Sequence, residues 1–241
     1  MDVKTFIETF ITLIDNNDYT RLYQEAIFNG LTMPEIGQVT EALMDADEHP
    51  LDHMNRVPIA YFNSGSYTYV HIPSHIESIG ERAFADSLIR TLDVPGSVDT
   101  IDYAAFAECT SLKKVKLNEG VRILDNSVFY RSKVEQVYLP QSLRRISRSC
   151  FELTNLKSVQ IPEHIDILHP RTFAYCSYLE NVYLPRGLKK ISADTFDGCI
   201  ALTDLTYEGT SAEWENIRLE NGWLDGTFIK CVHCSDKTIW I

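Results

Sequence analysis

The sequence has no long apolar run. Its stretches of consecutive apolar residues span only a handful of positions, and Met1–Lys4 begin an amphipathic pattern rather than a charged region followed by a continuous apolar one. A membrane-spanning helix needs about 20 predominantly apolar residues, and a signal peptide needs a shorter continuous apolar segment. We therefore expect neither a signal peptide nor a membrane span, and we expect a cytoplasmic protein that does not bind membranes.

Basic residues are scarce, above all near the N-terminus. The chain holds 22 Lys and Arg against 34 Asp and Glu, a net charge of -12, and residues 1–60 contribute three bases against eleven acids. Nucleic-acid binding requires a basic face that neutralises phosphates. We expect no general nucleic-acid binding, although local basic patches remain possible in residues 61–241.

Catalytic motifs are also missing. The sequence contains no Gly-x-Ser-x-Gly nucleophile motif and no phosphate-binding glycine loop. Cys150 replaces a small residue before Phe151, and such a position predicts a buried, inert thiol. We therefore expect no enzyme, no catalytic residue and no cofactor.

Two segments carry metal-ligand types without a complete ligand set. Cys231-Val232-His233-Cys234 lacks the second pair that a structural zinc site needs, so a closing strand is favoured over zinc. The acidic segment 45–53, with its two histidines, lacks the carboxylate order and central glycine of a calcium loop, so a solvated linker is favoured. We predict no metal site.

Helical signals dominate residues 1–60. Asp2 can cap an apolar pattern of helical period, Asp18 can cap a second, and Gly30 is a stop signal. Thr32 and Glu35 form a capping box ahead of a third pattern. We predict a small helical cap over the open end of the repeats that begin near residue 61, because the ends of repeat stacks require covering. The alternative is an adaptor segment that docks a second partner.

A phenylalanine recurs every 22 or 23 residues through the rest of the chain. The members of this series are Phe84, Phe106, Phe129, Phe151, Phe173 and Phe196. Each lies in a unit of the form Leu-x-x-Val-x-Leu-Pro-x-x-Leu-x-x-Ile-x-x-x-x-Phe-x-x-Cys. A fixed period of this length predicts stacked repeats that bury a common core. We assign about six repeats to residues 61–207 and a C-terminal capping segment to residues 208–241.

Each phenylalanine is followed, three positions later, by a small residue that can donate a hydrogen bond. These residues are Ser87, Cys109, Ser132, Thr154, Cys176 and Cys199. Such a ladder predicts buried donors to the carbonyl groups of the turn. Three of the six cysteines thus have a packing role. Side chains of such a ladder point in the same direction, a geometry that does not suit a disulfide, so reduced thiols are favoured over a Cys176–Cys199 bridge.

The alternating residues of the Val-x-Leu strands predict an exposed sheet face, because neighbouring strand residues point to opposite sides. We select the residues of this face that suit partner binding: Tyr69, His71, Asp93, Lys114, Lys116, Gln136, Tyr138, Gln160, Asn181 and Tyr183. Tyrosine offers large contact area at low entropic cost, which suits protein binding. The alternative is an ordinary solvated sheet face. Arg144, Arg145 and Arg148 form a second cluster, for which a solvated face is favoured over a site gripping carboxylate or phosphate.

The repeat pattern resembles the BspA-type leucine-rich repeat family. The match spans about residues 67–207, and Ala83-Phe84 and Ala105-Phe106 keep the alanine of the family pattern. Tyr207–Thr210 and His233–Asp236 are similar to the closing segment of many members, although Lys237 stands where the family usually has glycine. The resemblance implies an α/β repeat solenoid, a right-handed stack with a parallel sheet, that binds a protein or a surface ligand without catalysis.

These expectations converge on a non-enzymatic module that binds a protein partner through the exposed sheet face. A phage- or bacterium-encoded host-interaction factor is one version of this hypothesis and rests on the resemblance alone. The alternative is a surface adhesin or carbohydrate-binding protein, for which the chain shows no export signal.

Overall fold

The computed structural model describes residues 56–57, 68 and 70–241. The helices predicted within residues 1–60, the acidic segment 45–53 and Tyr69 lie outside the described residues. Arg56–Val57, at the end of the predicted N-terminal segment, form a strand that pairs with Ser78–Ile79 of the first described turn.

The described chain coils into stacked turns, most of which have one longer and one shorter strand. The longer strands are β3 (Thr91–Val94), β5 (Lys114–Leu117), β7 (Gln136–Tyr138), β9 (Ser158–Gln160), β11 (Asn181–Leu184), β13 (Asp204–Tyr207) and β15 (Cys231–His233). The shorter strands are β1 (Arg56–Val57), β2 (Ser78–Ile79), β4 (Thr100–Ile101), β6 (Ile123–Leu124), β8 (Arg145–Ile146), β10 (Ile167–Leu168), β12 (Lys190–Ile191) and β14 (Arg218–Leu219). The repeats are therefore a parallel β-solenoid of about seven turns.

Helix is nearly absent from this part of the molecule. Among residues 70–241 the α-helix is limited to α1 (Ser211–Trp214), which follows the last repeat. The helical component of the predicted α/β class thus has no counterpart within the repeats, where the second side of each turn is a two-residue strand.

Strands of successive turns pair in parallel with the period of the sequence. Val115 of β5 lies opposite Leu92 of β3 and Val137 of β7, so equivalent residues of the repeat stack directly on one another. This register confirms the predicted parallel sheet and places inward residues on inward residues throughout the stack.

Both strand ladders are interrupted at the same level. In the described chain no strand pairing joins β7 to β9 or β8 to β10, which divides each side into two sheets. Val137 and Leu139 are only partly buried there, whereas the equivalent inward residues of the other turns are buried. The turns remain connected on a third side, where Phe151 N–H donates to Thr172 O at 2.9 Å and Leu153 N–H donates to Ala174 O at 2.9 Å.

The six phenylalanines form a continuous ladder on that third side. Successive rings stack with centroids 5.0 to 5.8 Å apart and are at most about 14° from parallel. All six are buried together with the leucine, valine and isoleucine positions of the pattern. One turn cannot bury such a face alone, so the stability of the fold comes from contacts between turns.

The predicted ladder of small donors is confirmed by its hydrogen bonds. The hydroxyl of Ser132 donates to the carbonyl of Phe129 at 2.8 Å, and the thiols of Cys176 and Cys199 donate to the phenylalanine carbonyl of the preceding turn at 3.0 and 3.1 Å. All six cysteines are free thiols.

The C-terminal segment closes the stack with a helix and a hairpin. Thr210 and Glu213 form a capping box at α1, and the carboxylate of Asp236 accepts hydrogen bonds from both the N–H and the hydroxyl of Ser211. Trp214 and Trp223 cover the end of the core. The chain then turns back, and β16 (Thr238–Trp240) pairs antiparallel with β15.

Candidate binding surface

The strands of the longer side project two rows of side chains outward. In the first row Lys114 of β5 lies beside Gln136 of β7, and in the second Lys116 lies between Asp93 and Tyr138. On the other side of the interrupted ladder, Gln160 of β9 lies beside Tyr183 of β11. The structure thus places the candidates of these strands on the outer side of two sheets that the interruption separates, and we call this side the long-strand face. His71 lies ahead of the first of the longer strands.

All the described candidates are accessible to a partner. The exposed members are His71, Asp93, Lys114, Lys116, Gln136, Tyr138, Gln160, Asn181 and Tyr183. Tyr138 is 62% exposed and Tyr183 is 42% exposed, which are high values for large side chains. Tyr69 lies outside the described residues.

Ion pairs and hydrogen bonds order one end of the long-strand face. Lys116 Nζ lies 3.5 Å from the Asp93 carboxylate, and the amide of Asn118 donates to the same carboxylate. Lys113 Nζ lies 3.2 Å from Glu135. Among the described residues no ion pair engages Lys114, so this lysine presents its charge to solvent. Exposed pairs of this kind contribute little stability, typically below about 1 kcal/mol, and remain available to a partner.

The sequence reasoning missed the contribution of β16 to this face. In the antiparallel pairing Thr238 lies opposite His233 and Trp240 lies opposite Cys231, so both continue the outward rows. His233 Nδ1 is 3.0 Å from the Thr238 hydroxyl, and Trp240 is 75% exposed. The alternation of Thr238, Ile239 and Trp240 after a turn was the available signal for this strand.

The four internal cysteine thiols are unreactive. Burial raises the pKa of the Cys109 thiol to about 11 and that of Cys176 to about 12, and it raises the pKa of Cys150 and Cys199 well above the ordinary range. A thiol is nucleophilic only as the thiolate, so these four groups are inert at neutral pH.

Cys231–His233 form strand β15, as the closing-strand interpretation predicted. Cys231 Sγ is 3.7 Å from His233 Nε2, which in turn is 3.6 Å from the Asp204 carboxylate. Burial, followed by the charge of Asp204, raises the pKa of Cys231. Among the residues that the structure covers, no three His, Cys, Asp or Glu side chains are placed to hold a metal ion together.

The arginine cluster lies on a different side of the molecule. Arg145 is exposed on β8, one of the shorter strands, and Arg144 and Arg148 are exposed beside it. Arg144 donates to the carbonyls of Gln141 and Leu143, at 2.8 and 3.2 Å. Arg144 thus bonds to carbonyls of its own turn, in keeping with the solvated face that the sequence favoured over an anion site.

Within residues 70–241 no helix has both the length and the apolar character needed to cross a bilayer.

Comparison with known proteins identifies the repeats. The family model for the BspA type leucine rich repeat region matches in six copies over residues 52–154 and 123–221. Among solved structures, a leucine-rich repeat protein of T. pallidum is 24% identical with a TM-score of 0.61, the match covering 72% of this chain and 81% of that one. A leucine rich cell surface protein of Faecalibacterium prausnitzii A2-165 is 22% identical with a TM-score of 0.54.

The second of these matches covers 69% of this chain and 55% of the Faecalibacterium protein, so the chain spans about half the length of that relative. At this identity both likenesses concern the fold. No curated protein sequence matches the chain.

Proposed function

Because the chain belongs to the BspA-type leucine-rich repeat family, we propose that it is a non-enzymatic interaction module that binds a protein partner through the long-strand face. In a solenoid the inward positions maintain the stack, whereas the outward positions are free to vary with the ligand. The further parts of the hypothesis, namely a right-handed coil, a cytoplasmic location and a phage- or bacterium-encoded host-interaction role, belong to the same proposal.

One observation carries this proposal. Strand register places exposed Lys116 beside Tyr138 in one sheet and exposed Gln160 beside Tyr183 in the next, at the same outward position of the repeat. Rigid aromatic groups next to amide and cationic groups have the composition of protein-binding surfaces, since the aromatic rings supply contact area and the polar groups supply direction. The small donors that follow the repeat phenylalanines, by contrast, use their hydrogen bonds within the stack, as Ser132, Cys176 and Cys199 show.

One cationic group of the long-strand face favours an acidic group on the partner. Lys116 is paired with Asp93, whereas Lys114 on the same strand has no ion pair among the described residues. Complementary charge increases the rate and the specificity of association more than the affinity. We therefore expect association with the partner to slow as the salt concentration rises.

The proposal is tested by affinity capture of the full chain from its native cell with two matched variants. The face variant combines Tyr138→Ala, Tyr183→Ala and Lys116→Glu. The control variant combines two tyrosine-to-alanine changes and one charge reversal at exposed residues away from the long-strand face, namely Tyr103→Ala, Tyr175→Ala and Arg145→Glu. We expect the partner to be lost from the face variant and retained by the control.

If the face variant retains every partner, the long-strand face is not the binding surface. Loss of the partner only when residues 1–55 are deleted would move the function to the N-terminal segment. That segment carries the predicted helical cap or adaptor, and its acidic composition separates it chemically from the long-strand face.

The same exposed tyrosines and amides support a second candidate, a surface adhesin or carbohydrate-binding protein. Aromatic faces can stack on sugar rings, and Gln160 and Asn181 can exchange hydrogen bonds with hydroxyl groups. Cell fractionation separates the two candidates, because an adhesin must be found at the cell surface. If fractionation finds the protein only in the cytosol, the adhesin hypothesis is excluded and binding to an intracellular partner remains.

A further inference from the structure

Among the described residues, strand β16 pairs only with β15, which engages half of its backbone hydrogen-bonding groups. Ile241 N–H donates to Lys230 O at 2.9 Å and Cys234 N–H donates to Lys237 O at 3.0 Å, while Ile239 lies opposite Val232. In an antiparallel ladder, alternate residues exchange bonds with the neighbouring strand and the intervening residues point the other way. Residues 237, 239 and 241 thus face β15, and the N–H and C=O groups of Thr238 and Trp240 face the opposite edge.

This edge has only part of the usual protection of an edge strand: β16 is three residues long and follows Lys237, but segment 237–241 contains no proline and no second charged side chain. Strand β16 is the last strand of its five-stranded sheet, and in the part of the chain that the structure describes it pairs on one side only. Natural edge strands are blunted by charges, proline, bulges or a covering loop. Here Lys237 is the one charged residue of segment 237–241, and Trp240 and Ile241 are 75% and 53% exposed.

We propose that the edge of β16 binds β16 of a second copy of this chain, antiparallel, about a two-fold axis through Ile239. With this register, Thr238 of one subunit lies opposite Trp240 of the other, and each pair can exchange two hydrogen bonds. The outward N–H and C=O groups of Thr238 and Trp240 in each subunit are then hydrogen-bonded to those of Trp240 and Thr238 in the other. Such a self-complementary contact is the form that a closed, two-fold dimer requires.

Charge and side-chain direction agree with this register. Lys237 lies opposite Ile241 of the other subunit, and the two Lys237 residues are roughly 14 Å apart along the strands, at about 3.4 Å per residue. Like charges therefore do not meet across the contact. Thr238 and Trp240 both project to the outward side, so each Trp240 packs over a Thr238 and loses part of its exposed apolar surface.

The dimer would join two five-stranded sheets into one of ten strands. Because paired residues of adjacent strands share a face, the outward rows of both subunits lie on the same side of the joined sheet. The long-strand face becomes a bivalent surface, which increases the apparent affinity for a clustered ligand without any new contact. The inference concerns self-association and goes beyond the proposed function.

The test is the mass of the full 241-residue chain, measured by sedimentation equilibrium over a wide range of protein concentrations. We expect the mass to rise with concentration from 27.6 kDa to twice that value. Trp240→Ala keeps the outward N–H and removes the side chain, so we expect weaker dimerisation, by about tenfold or more. Trp240→Pro also removes the outward N–H, and we expect it to abolish the dimer.

The controls separate this edge from other contacts and from unfolding. Phe228 is 59% exposed and precedes β15, so Phe228→Ala should leave the dimer intact. Because a proline could disturb the hairpin, Trp240→Lys provides a second variant that keeps every backbone group and adds charge to the edge, and its thermal midpoint should match that of the unchanged protein. A monomer at all concentrations, or a dimer that persists in both Trp240→Pro and Trp240→Lys, would overturn the inference.

Discussion

Single residues with a left-handed backbone conformation form the corners of the coil, and the repeat pattern does not indicate which residues these are. Among the described residues, eleven other than glycine have positive φ, for example Arg82, Ser127 and Leu153, and all eleven lie two positions before or after a repeat phenylalanine. In the last repeat the position two residues after the phenylalanine is occupied by Gly198, which has a φ of 70°. One glycine among six equivalent positions is too weak a signal, so these corners could not be predicted from composition.

The corner conformation leads to a prediction about Gly198. A side chain there would require the left-handed region and would also clash with the ring of Tyr175. We expect Gly198→Ala to lower the free energy of unfolding by about 1–3 kcal/mol, the usual cost of a strained backbone position. Urea denaturation measures the change.

Ser127→Gly is the matched control, because Ser127 already has φ of 61°. Glycine removes the strain of the left-handed conformation, which stabilises the folded state, but its greater freedom in the unfolded chain opposes this effect. We expect the free energy of unfolding to rise by between zero and about 1 kcal/mol. Similar destabilisation by both substitutions would contradict the strain argument.

The thiol ladder leads to a second prediction at this scale. Cys109, Cys150, Cys176 and Cys199 are fully buried with raised pKa values, whereas Cys234 is half-buried. We expect Ellman's reagent at pH 8 to modify Cys234 first and the four internal thiols only as the protein unfolds. Cys234→Ala should remove the rapid phase. Only Cys231 and Cys234 lie outside the internal four, so rapid modification of three or more thiols would contradict the buried ladder.

At the scale of elements, the sequence predicted which residues pair but not where pairing fails. The spacing of Phe84 to Phe196 predicted the stack, and the register of β3, β5 and β7 confirms it. The interruption between β7 and β9 was not predictable, because Val137 and Leu139 fit the pattern as well as their equivalents in other turns. Small differences in strand spacing depend on packing between turns, which the repeat pattern does not encode.

The closing segment gives the third prediction, a dependence on pH. Hydrogen bonds from the Thr210 backbone and then the Arg186 side chain lower the pKa of Glu213 from 4.5, and hydrogen bonds from the Ser211 N–H and hydroxyl lower that of Asp236 from 3.8. A lowered pKa in the folded state stabilises the protein above the unfolded value and loses that effect as pH falls. We expect the segment to be fully stabilised above about pH 5 and to weaken progressively at lower pH.

Fluorescence of Trp214 and Trp223, which are buried in this segment, reports its opening. Asp236→Asn removes one of the two titrations, so its acid transition should be shallower than that of the unchanged protein. Equal transitions in the two proteins would show that the Asp236 contact does not contribute to closure.

For the whole molecule, the sequence predicted the solenoid and most of the long-strand face because both follow from a short period repeated in register. Tyr138 and Tyr183 could be assigned to the outside from strand alternation alone, and both are exposed. The antiparallel return of β16, which adds Trp240 to the same face, could not be assigned in this way, since it lies beyond the last repeat and depends on a turn at Cys234–Lys237.

The central claim is that the long-strand face is the surface that binds the protein partner. It is tested most directly by hydroxyl-radical footprinting of the full chain, free and in complex with its captured partner. The chain provides its own reference residues, because Tyr103 and Tyr175 are 44% and 43% exposed on other sides of the coil, close to the 42% of Tyr183. We predict that the complex protects Tyr138 and Tyr183 from oxidation and leaves Tyr103 and Tyr175 unchanged. Protection of Tyr103 or Tyr175, with Tyr138 and Tyr183 still oxidised, would contradict the claim.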